Sequence, residues 1–213
     1  MYNTVETVRQ MFKKHTITST DKTGVKMREL LNVQFIATEP TIYGKVNDDW
    51  NRRELDWFLN ESLNTRDIEP PIPKVWQDVS DCDGYINSNY GWCVFSGANG
   101  SQYDHVLNKL KANPNTRQGQ IIYTRPTMHT DWNRNGMSDF MCCSNTVHQI
   151  RDGLLVSSIY FRSQDAVYGY KGDYHWMKYV HDCLAKDLNV KSGDMFWNVA
   201  NLHVYEKHFH LMN

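Results

Sequence analysis

The chain has 213 residues and nearly balanced charge, with 23 Lys and Arg against 24 Asp and Glu. A formal net charge of -1 excludes a strongly basic nucleic-acid-binding protein and a polyacidic tail protein, so we expect no direct nucleic-acid partner. Hydrophobic residues make up 40% of the chain and aromatic residues 13%, which is enough apolar surface for a core and argues against intrinsic disorder.

The sequence shows no membrane or export segment. Its apolar stretches fall short of the roughly 20 residues that a membrane helix needs, and the amino terminus lacks the apolar run of a secretory signal. Pro70 to Pro73 form the one proline-rich break and are typical of a turn. We therefore expect a single domain over residues 1–213, a cytoplasmic location and no membrane partner.

Cysteine usage indicates reduced thiols and no metal site. The five cysteines are odd in number and contain no CxxC pair. Adjacent Cys142 and Cys143 lack the spacing of a structural zinc site, and the cluster of His203, His208 and His210 lacks carboxylate partners for a hydrolytic metal. We expect no resident metal ion.

Apolar periodicity and turn signals predict four helices and four strands. The helices are expected after a cap at Asn3 or Thr4, from Asp48 or Asp49, from Ser101, and over residues 173–188. The strands are expected over residues 120–124, after Cys143, over 154–161 and over 195–205. These elements intermix without a βαβ alternation, which indicates an α+β fold with a mixed or mostly antiparallel sheet and helices on one side. No GxGxxG or GxxxxGK[ST] motif supports a Rossmann or Walker-type site.

Several polar side chains stand in segments that are otherwise suited to burial. They are Glu54, Cys142, Arg162, Ser163, Asp165, His203 and Tyr205. A buried charge is costly unless it is paired, so we expect each of these side chains either to have a structural partner or to belong to a functional site. A thiol, carboxylates and basic side chains together suit covalent catalysis on an anionic substrate, because the thiolate is the nucleophile and a nearby cation lowers its pKa.

Six motifs occur in the order found in the thymidylate synthase family and span nearly the whole chain. They read DKTG from Asp21, RELDW from Arg53, NSNYG from Asn87, GMSDFMC from Gly136, RSQD from Arg162 and LHVY from Leu202. Within that family, the stretches YTRP, GMSDFMC and WNV followed by LHVY are most similar to the phage deoxycytidylate (dCMP) hydroxymethylases. The resemblance implies a thymidylate synthase-like fold, a homodimer joined through a face of the sheet and, for a phage-encoded protein, the host cytoplasm.

The resemblance implies that Cys142 is the nucleophile. It would add to C6 of the pyrimidine and make C5 able to attack the methylene group of 5,10-methylenetetrahydrofolate. Cys143 is the competing candidate, because the residues that follow it are similar to those after the nucleophile in the phage enzymes. Spacing favours Cys142, since Arg162 follows it by 20 positions (162 minus 142), which is the interval of the family.

The resemblance also implies a phosphate site on a pyrimidine deoxynucleoside monophosphate. Its ligands would be Lys22, Arg162 and Ser163 of the same subunit and Arg117 of the partner subunit in the homodimer. The family usually has two consecutive arginines at the last position, and here Gln118 replaces the second. Arg125 is the candidate to replace the lost charge. The alternative for each cation is an exposed surface charge.

Asp173 stands where thymidylate synthases have an asparagine. An amide both donates and accepts, whereas an ionised carboxylate only accepts. Asp173 therefore suits the 4-amino group of cytosine, or a base protonated at N3, and disfavours O4 of uracil. On local sequence alone, Asp173 is equally reasonable as an acidic cap of the fourth helix.

The remaining roles concern proton transfer, the sugar and the pterin. Glu54 matches the family carboxylate that organises water and shuttles protons at the base, a task for an acid of tunable pKa. Tyr90 matches an active-site tyrosine. The residues resembling ligands of the sugar 3'-hydroxyl are His203 and Tyr205, and those resembling pterin contacts are Trp76 and Asp165.

Water access decides the product in this chemistry. The exocyclic methylene formed on the base receives either hydride from the folate, which gives methyl, or water, which gives hydroxymethyl. The chain ends at Asn213, whereas thymidylate synthases continue into a tail that closes over folate, so we expect hydration. The resemblance thus implies conversion of dCMP to 5-hydroxymethyl-dCMP. The alternatives are a dUMP hydroxymethylase, a dCMP methylase and an inactive nucleotide-binding homologue.

Overall fold

Seven strands form one mixed sheet in the computed structural model, which describes residues 2–213. They are β1 (Ile17–Thr20), β2 (Lys26–Ile36), β3 (Gln120–Ile122), β4 (Cys143–Arg151), β5 (Leu154–Phe161), β6 (Gln164–Asp165) and β7 (Lys191–Tyr205). The spatial order is β1-β2-β7-β5-β4-β3, and β6 pairs with β7. The β5–β7 and β6–β7 pairs are parallel, while the remaining pairs are antiparallel. The expected α+β class with a mixed sheet is confirmed.

The helices are α1 (Val5–Lys14), α2 (Asp48–Leu59), α3 (Lys74–Val79), α4 (Tyr90–Phe95), α5 (Gln102–Ala112), α6 (Met128–Asp131) and α7 (Gly169–Asp187). Short 3-10 turns cover Thr65–Asp67, Gly97–Asn99, Arg134–Gly136 and Glu206–Met212. The cap of α2 is Asn47 rather than Asp48 or Asp49, because the Asn47 side chain accepts the Trp50 N–H at 3.1 Å. Within residues 2–213, no helix combines the length and the apolar character that a membrane crossing requires.

The core lies between the helices and one face of the sheet. Along β5, Leu155, Ser157 and Ile159 are buried and alternate with more exposed residues, as the period of a strand dictates. The buried side of α7 carries Trp176 and Val180. Complete burial of a large apolar side chain stabilises a fold by about 1.5–3 kcal/mol, so this layer accounts for much of the stability.

Strands β1, β2 and β6 were not expected from the sequence. The longest of them, β2, pairs with β7 along most of its length, from Met27 opposite Tyr205 to Ile36 opposite Phe196. The sheet contains one βαβ unit, formed by β5, α7 and β7 with β5 and β7 parallel, without the repeated alternation of a doubly wound fold. The helix of this unit is the natural crossover between two parallel strands.

Helix α7 begins at Gly169, four residues before its predicted start. Asp173 therefore lies inside the helix and is not its cap, which excludes the purely local explanation of this carboxylate. Helices α2 and α4 approach closely because residue 91 is glycine. A Cβ atom at Gly91 would stand 1.7 Å from the carbonyl oxygen of Phe58, so any side chain there would separate the two helices.

Candidate active site

The βαβ unit gathers many of the predicted site residues at one end of the sheet. Arg162 and Ser163 directly follow β5, and Asp165 ends β6. Asp173 lies in the second turn of α7, and the pairing of β6 with β7 places Asp165 opposite His203. The carboxyl ends of parallel strands joined by a helix are a usual place for ligand sites. The fold thus supplies the geometry for a single site in this region.

Cys142 and Arg162 are in contact. Arg162 Nη2 lies 3.8 Å from Cys142 Sγ. The guanidinium donates from Nε to the Met141 carbonyl at 2.9 Å and from Nη2 to the Phe140 carbonyl at 2.5 Å. It also lies over the Phe140 ring, 4.7 Å from the centroid. These contacts fix a cation beside the sulfur.

Desolvation outweighs this cation in the free protein. Burial raises the pKa of the Cys142 thiol to about 11, against the opposing charge of Arg162. The charges of Asp173 and Asp139 add to the rise. Arg162 therefore acts in the expected direction without making Cys142 a thiolate at neutral pH.

Cys143 has different surroundings from its neighbour. Its side chain is fully buried, and its backbone N–H donates to Tyr90 Oη at 3.3 Å. The β4–β5 register shifts between Cys143 and Asn145, so that Ser144 is the extra residue of a β-bulge, a feature common beside active sites. Burial raises the pKa of Cys143 well above its ordinary value. The half-buried Cys142 is the better candidate for a nucleophile.

Glu54 of α2 and Asp173 of α7 form a pair of carboxyl groups with raised pKa. Burial, with a contribution from the charge of Asp173, raises the pKa of Glu54 to about 8. Burial raises the pKa of Asp173 to about 7, opposed by a hydrogen bond from Gln164. Acids with pKa values near neutrality can both give and take protons. Burial raises the pKa of the Tyr90 phenol well above its ordinary value, and the charge of Asp173 raises it further.

Hydrogen bonds connect His203 through Asn201 to Glu29. Asn201 Nδ2 donates to Glu29 Oε1 at 2.7 Å, and Asn201 Oδ1 lies 3.0 Å from His203 Nδ1. The rings of His203 and Tyr205 meet edge to face at 5.0 Å. Burial lowers the pKa of His203, so its neutral form is favoured. A neutral imidazole beside a phenol suits a neutral hydroxyl ligand.

Lys22 reaches the segment that carries Cys142. Its Nζ donates to Ser138 Oγ at 2.9 Å and lies 5.5 Å from the centroid of the Trp132 ring. Residues Ser138 and Cys142 belong to the same GMSDFMC motif. The structure therefore brings Lys22 to the same part of the molecule as Arg162, as a phosphate ligand requires.

Arg125 and Arg117 are placed differently. Arg125 donates from Nε to Asp131 Oδ2 at 2.9 Å and from Nη2 to Asn87 Oδ1 at 2.8 Å. Its guanidinium thus has structural partners within the subunit, which weakens its candidacy as a replacement phosphate ligand. Arg117 is exposed shortly before β3, where it is available to a neighbouring molecule.

Trp76 and Asp165 have properties that fit a pterin. Trp76 of α3 is half-buried and meets Trp57 edge to face at 5.1 Å. A hydrogen bond from its indole opposes the rise in the pKa of Glu54. Asp165 Oδ1 accepts the Val167 N–H at 2.7 Å, which holds its carboxylate in place. An indole face and a carboxylate acceptor suit a flat heterocycle with N–H groups.

Sequence reasoning missed the residues that support the site. Asp139 Oδ2 accepts the backbone N–H groups of Asn87 and Ser88 at 2.7 and 2.8 Å, which ties the NSNYG segment to the loop of Cys142. Gln164 contacts Asp173 directly. These residues lie in the NSNYG, GMSDFMC and RSQD motifs, so unassigned polar positions within the motifs were the available signal.

Comparison with known proteins identifies the family. The sequence profile of the Thymidylate synthase family matches residues 5–213. The chain belongs to the thymidylate synthase family. The family expected from the six motifs is confirmed, and the sheet with its crossover helix is the thymidylate synthase-like domain.

Similarity within the thymidylate synthase family is uneven. The deoxycytidylate 5-hydroxymethyltransferases of Enterobacteria phages T4 and T6 are 46% identical to this chain over 200 residues, which cover 91% of this chain and 81% of each relative. The thymidylate synthase of Fusobacterium nucleatum is 27% identical over 164 residues, which cover 74% of this chain and 56% of the relative. The chain is therefore more similar to these hydroxymethyltransferases than to that synthase.

Proposed function

We propose that the protein is a dCMP 5-hydroxymethyltransferase, which converts dCMP to 5-hydroxymethyl-dCMP. The observation that carries the proposal is the position of Asp173, a half-buried carboxyl group whose charge raises the pKa of both Cys142 and Glu54. The phage relatives named deoxycytidylate 5-hydroxymethyltransferase support it by their 46% identity. A carboxyl group at the base favours the amino group of cytosine over the carbonyl of uracil.

The substrate would lie along the carboxyl end of the βαβ unit. Arg162, Ser163 and Lys22 bind the phosphate, with Arg162 offering the charge-assisted hydrogen bonds that phosphate favours. His203 and Tyr205 hold the sugar hydroxyl. This placement puts C6 of the base toward Cys142 and the 4-amino group toward Asp173.

Covalent activation of the base is the role of Cys142. Its sulfur bonds to C6, the electron pair of the C5–C6 double bond moves to C5, and C5 bonds to the transferred carbon. The thiol gives up its proton as the base binds, because its pKa of about 11 keeps it neutral beforehand. Asp173 holds a proton against N3, and Glu54 carries protons between the base and water.

5,10-Methylenetetrahydrofolate supplies the one-carbon unit of this reaction when it is bound. Trp76 would lie against its pterin ring, and Asp165 would accept hydrogen bonds from its N–H groups. C5 of the base then loses its proton and the bond from the transferred carbon to the folate nitrogen breaks, which leaves an exocyclic methylene on the base. In the last step Glu54 directs water to this methylene, the C5–C6 double bond reforms, and Cys142 leaves C6 with the electron pair of the C–S bond. The proposal involves no metal ion.

A homodimer is part of the proposal. The sheet face opposite the helices carries apolar side chains that a single subunit leaves uncovered, including Ile122 and Tyr160, which are 52% and 39% exposed. Val147, on the same face, is half-buried. A second copy on this face would cover these side chains, and its exposed Arg117 would reach the phosphate site.

Isotope labelling tests the reaction. A mixture of dCMP and dUMP is incubated with the protein and 5,10-methylenetetrahydrofolate in oxygen-18 water, and the products are identified by mass spectrometry. We expect labelled 5-hydroxymethyl-dCMP, with activity lost in Cys142→Ser and retained in Cys143→Ser. A methylated dCMP product would support a dCMP methylase, a labelled hydroxymethyl product of dUMP would support a dUMP hydroxymethylase, and no product would support an inactive nucleotide-binding homologue.

Subunit mixing tests the shared site. We expect Arg117→Ala and Cys142→Ser homodimers to be nearly inactive, because each lacks one component of both sites. After denaturation and refolding together, mixed dimers would contain one intact site with Cys142 and Arg162 from one subunit and Arg117 from the other. Recovery of about a quarter of the wild-type activity is expected from random pairing. Absence of recovery in dimers shown to be mixed would contradict the role of Arg117.

A further inference from the structure

A buried tryptophan and a buried glutamine stand behind the carboxyl group of Asp173. Trp197 Nε1 donates to Gln164 Oε1 at 2.7 Å, and Gln164 Nε2 donates to Asp173 Oδ2 at 2.9 Å. Trp197 is 0% exposed and Gln164 is 3% exposed. Bulk water therefore has almost no access to the first two members of this chain.

The indole fixes the orientation of the amide. An indole N–H can only donate, so the oxygen of Gln164 faces Trp197 and its NH2 group faces Asp173. The indole is itself held in place, because it stacks on Phe161 at 5.4 Å and meets Tyr170 edge-on at 5.3 Å. The direction of the hydrogen bond to Asp173 thus depends on rigid aromatic packing.

This direction makes the two oxygens of Asp173 different. The N–H that Gln164 donates to Oδ2 stabilises negative charge on that oxygen and occupies one of its two lone-pair directions. A proton on Asp173 is therefore favoured on Oδ1. The carboxyl group then presents a donor at Oδ1 and an acceptor at Oδ2.

Cytosine and uracil distinguish these two patterns. Cytosine accepts at N3 and donates from its 4-amino group, whereas uracil donates from N3 and accepts at O4. We propose that Trp197 and Gln164 are positioning residues that keep the proton of Asp173 on Oδ1 and so set the preference for cytosine over uracil. This inference rests on the proposed function, since it requires that Asp173 meets the base. A reversed amide would turn Oδ1 into an acceptor for the N3–H of uracil.

Nucleotide binding separates this role from general packing. The affinities for dCMP and for dUMP are measured by titration calorimetry in the wild type, Trp197→Phe and Gln164→Met. Gln164→Met keeps the size of the side chain, Trp197→Phe keeps one aromatic ring, and each removes the hydrogen bond. We expect the ratio of the two affinities to fall by about tenfold or more in each variant. Trp57→Phe is the matched control, because Trp57 is 1% exposed and donates to the Asn64 carbonyl at 3.2 Å, away from Gln164. Its ratio should equal that of the wild type.

The double variant tests whether the two residues act as one unit. If they do, Trp197→Phe with Gln164→Met has the same ratio as each single variant. If the effects of the two single variants on the affinity ratio multiply in the double variant, the two residues do not act as one unit. Equal losses of affinity for dCMP and for dUMP would mean that the pair has only a structural role. Should Trp197→Phe fail to fold, Gln164→Met alone decides the outcome by its ratio. A wild type that binds neither nucleotide, or prefers dUMP, would instead contradict the proposed function.

Discussion

Gly172 lies against the carboxyl group of Glu54. A Cβ atom at residue 172 would stand 3.1 Å from Glu54 Oε2, which is tighter than an ordinary van der Waals contact. Gly172 is nevertheless the fourth residue of α7, where glycine costs about 0.5–1 kcal/mol relative to alanine. Helix stability and the position of the carboxyl group therefore make opposite demands on this residue.

Gly172→Ala should separate stability from activity. We expect an unchanged or higher melting temperature, because alanine favours the helix, and a fall in kcat of about three- to tenfold, because the methyl group displaces Glu54. Gly169→Ala is the control, since a Cβ at Gly169 would be no closer than 3.5 Å to any neighbour. Equal kcat values for the two variants would show that the position of Glu54 is not limiting.

The raised pKa of Glu54 makes the fold less stable at alkaline pH. The folded protein binds the Glu54 proton up to pH of about 8, while the unfolded chain releases it near 4.5. This contribution to stability is therefore complete below pH 4.5 and is lost as the pH rises through 8. Glu54→Gln has no proton to lose, so relative to the wild type we expect its unfolding free energy to gain about 4 kcal/mol at pH 8 and only about 1 kcal/mol at pH 5 from this linkage. Denaturant unfolding at both pH values provides the measurement, and Glu206→Gln is an exposed control. A stability difference independent of pH would argue against a buried, protonated Glu54.

The high pKa of Cys142 predicts slow alkylation at neutral pH. In a Cys82→Ser background, which removes the exposed thiol, the rate of iodoacetamide modification at Cys142 should rise about tenfold per pH unit from pH 7 to 9.5. Arg162→Gln should slow the reaction further, because Arg162 lowers this pKa, whereas Arg162→Lys keeps the charge and serves as the control. Peptide mass spectrometry identifies the modified cysteine. A fast rate that stays constant above pH 7 would mean that the free protein already holds a thiolate.

Glu29 should act on the sugar end of the nucleotide through Asn201. Glu29 accepts from Asn201 Nδ2, which turns Asn201 Oδ1 toward His203 Nδ1 and leaves Nε2 of the imidazole as an acceptor. In Glu29→Gln the amide of Asn201 loses this constraint, so we expect KM for dCMP to rise about five- to tenfold with a smaller change in kcat. The nucleotide without a 3'-hydroxyl provides the control, because its affinity should be the same in the wild type and the variant. A similar loss for both nucleotides would assign Glu29 a structural role only.

Strand β2 shows where sequence reasoning fails. Its residues Met27, Arg28, Glu29 and Leu30 are compatible with a helix, and pairing with β1 and with the distant β7 makes them a strand. The predicted 154–161 strand, by contrast, matches β5 because its turn and its apolar pattern are both local. Sequence reasoning thus predicted the elements whose boundaries are marked by local signals. It missed the strand whose conformation depends on pairing with a distant segment.

The same distinction applies to the candidate site. The motifs singled out Cys142 and Arg162 as candidates, and the structure brings them into contact, yet the raised pKa of Cys142 depends on burial that no motif encodes. The partner of Gln164 is 33 positions away and that of Asn201 is 172 positions away. The orientations of these amides follow from such contacts, which only the three-dimensional fold reveals.

The position of β7 sets a limit on folding during synthesis. This last strand lies between β2 and β5, so the two halves of the sheet have no common neighbour until residue 205 has left the ribosome. Until then β2 and β5 present unpaired edges, which are templates for wrong pairing. Such non-local pairing makes folding slow and exposes the nascent chain to aggregation. Chaperone demand should therefore be highest while β2 and β5 have been synthesised and β7 is not yet available to pair with them.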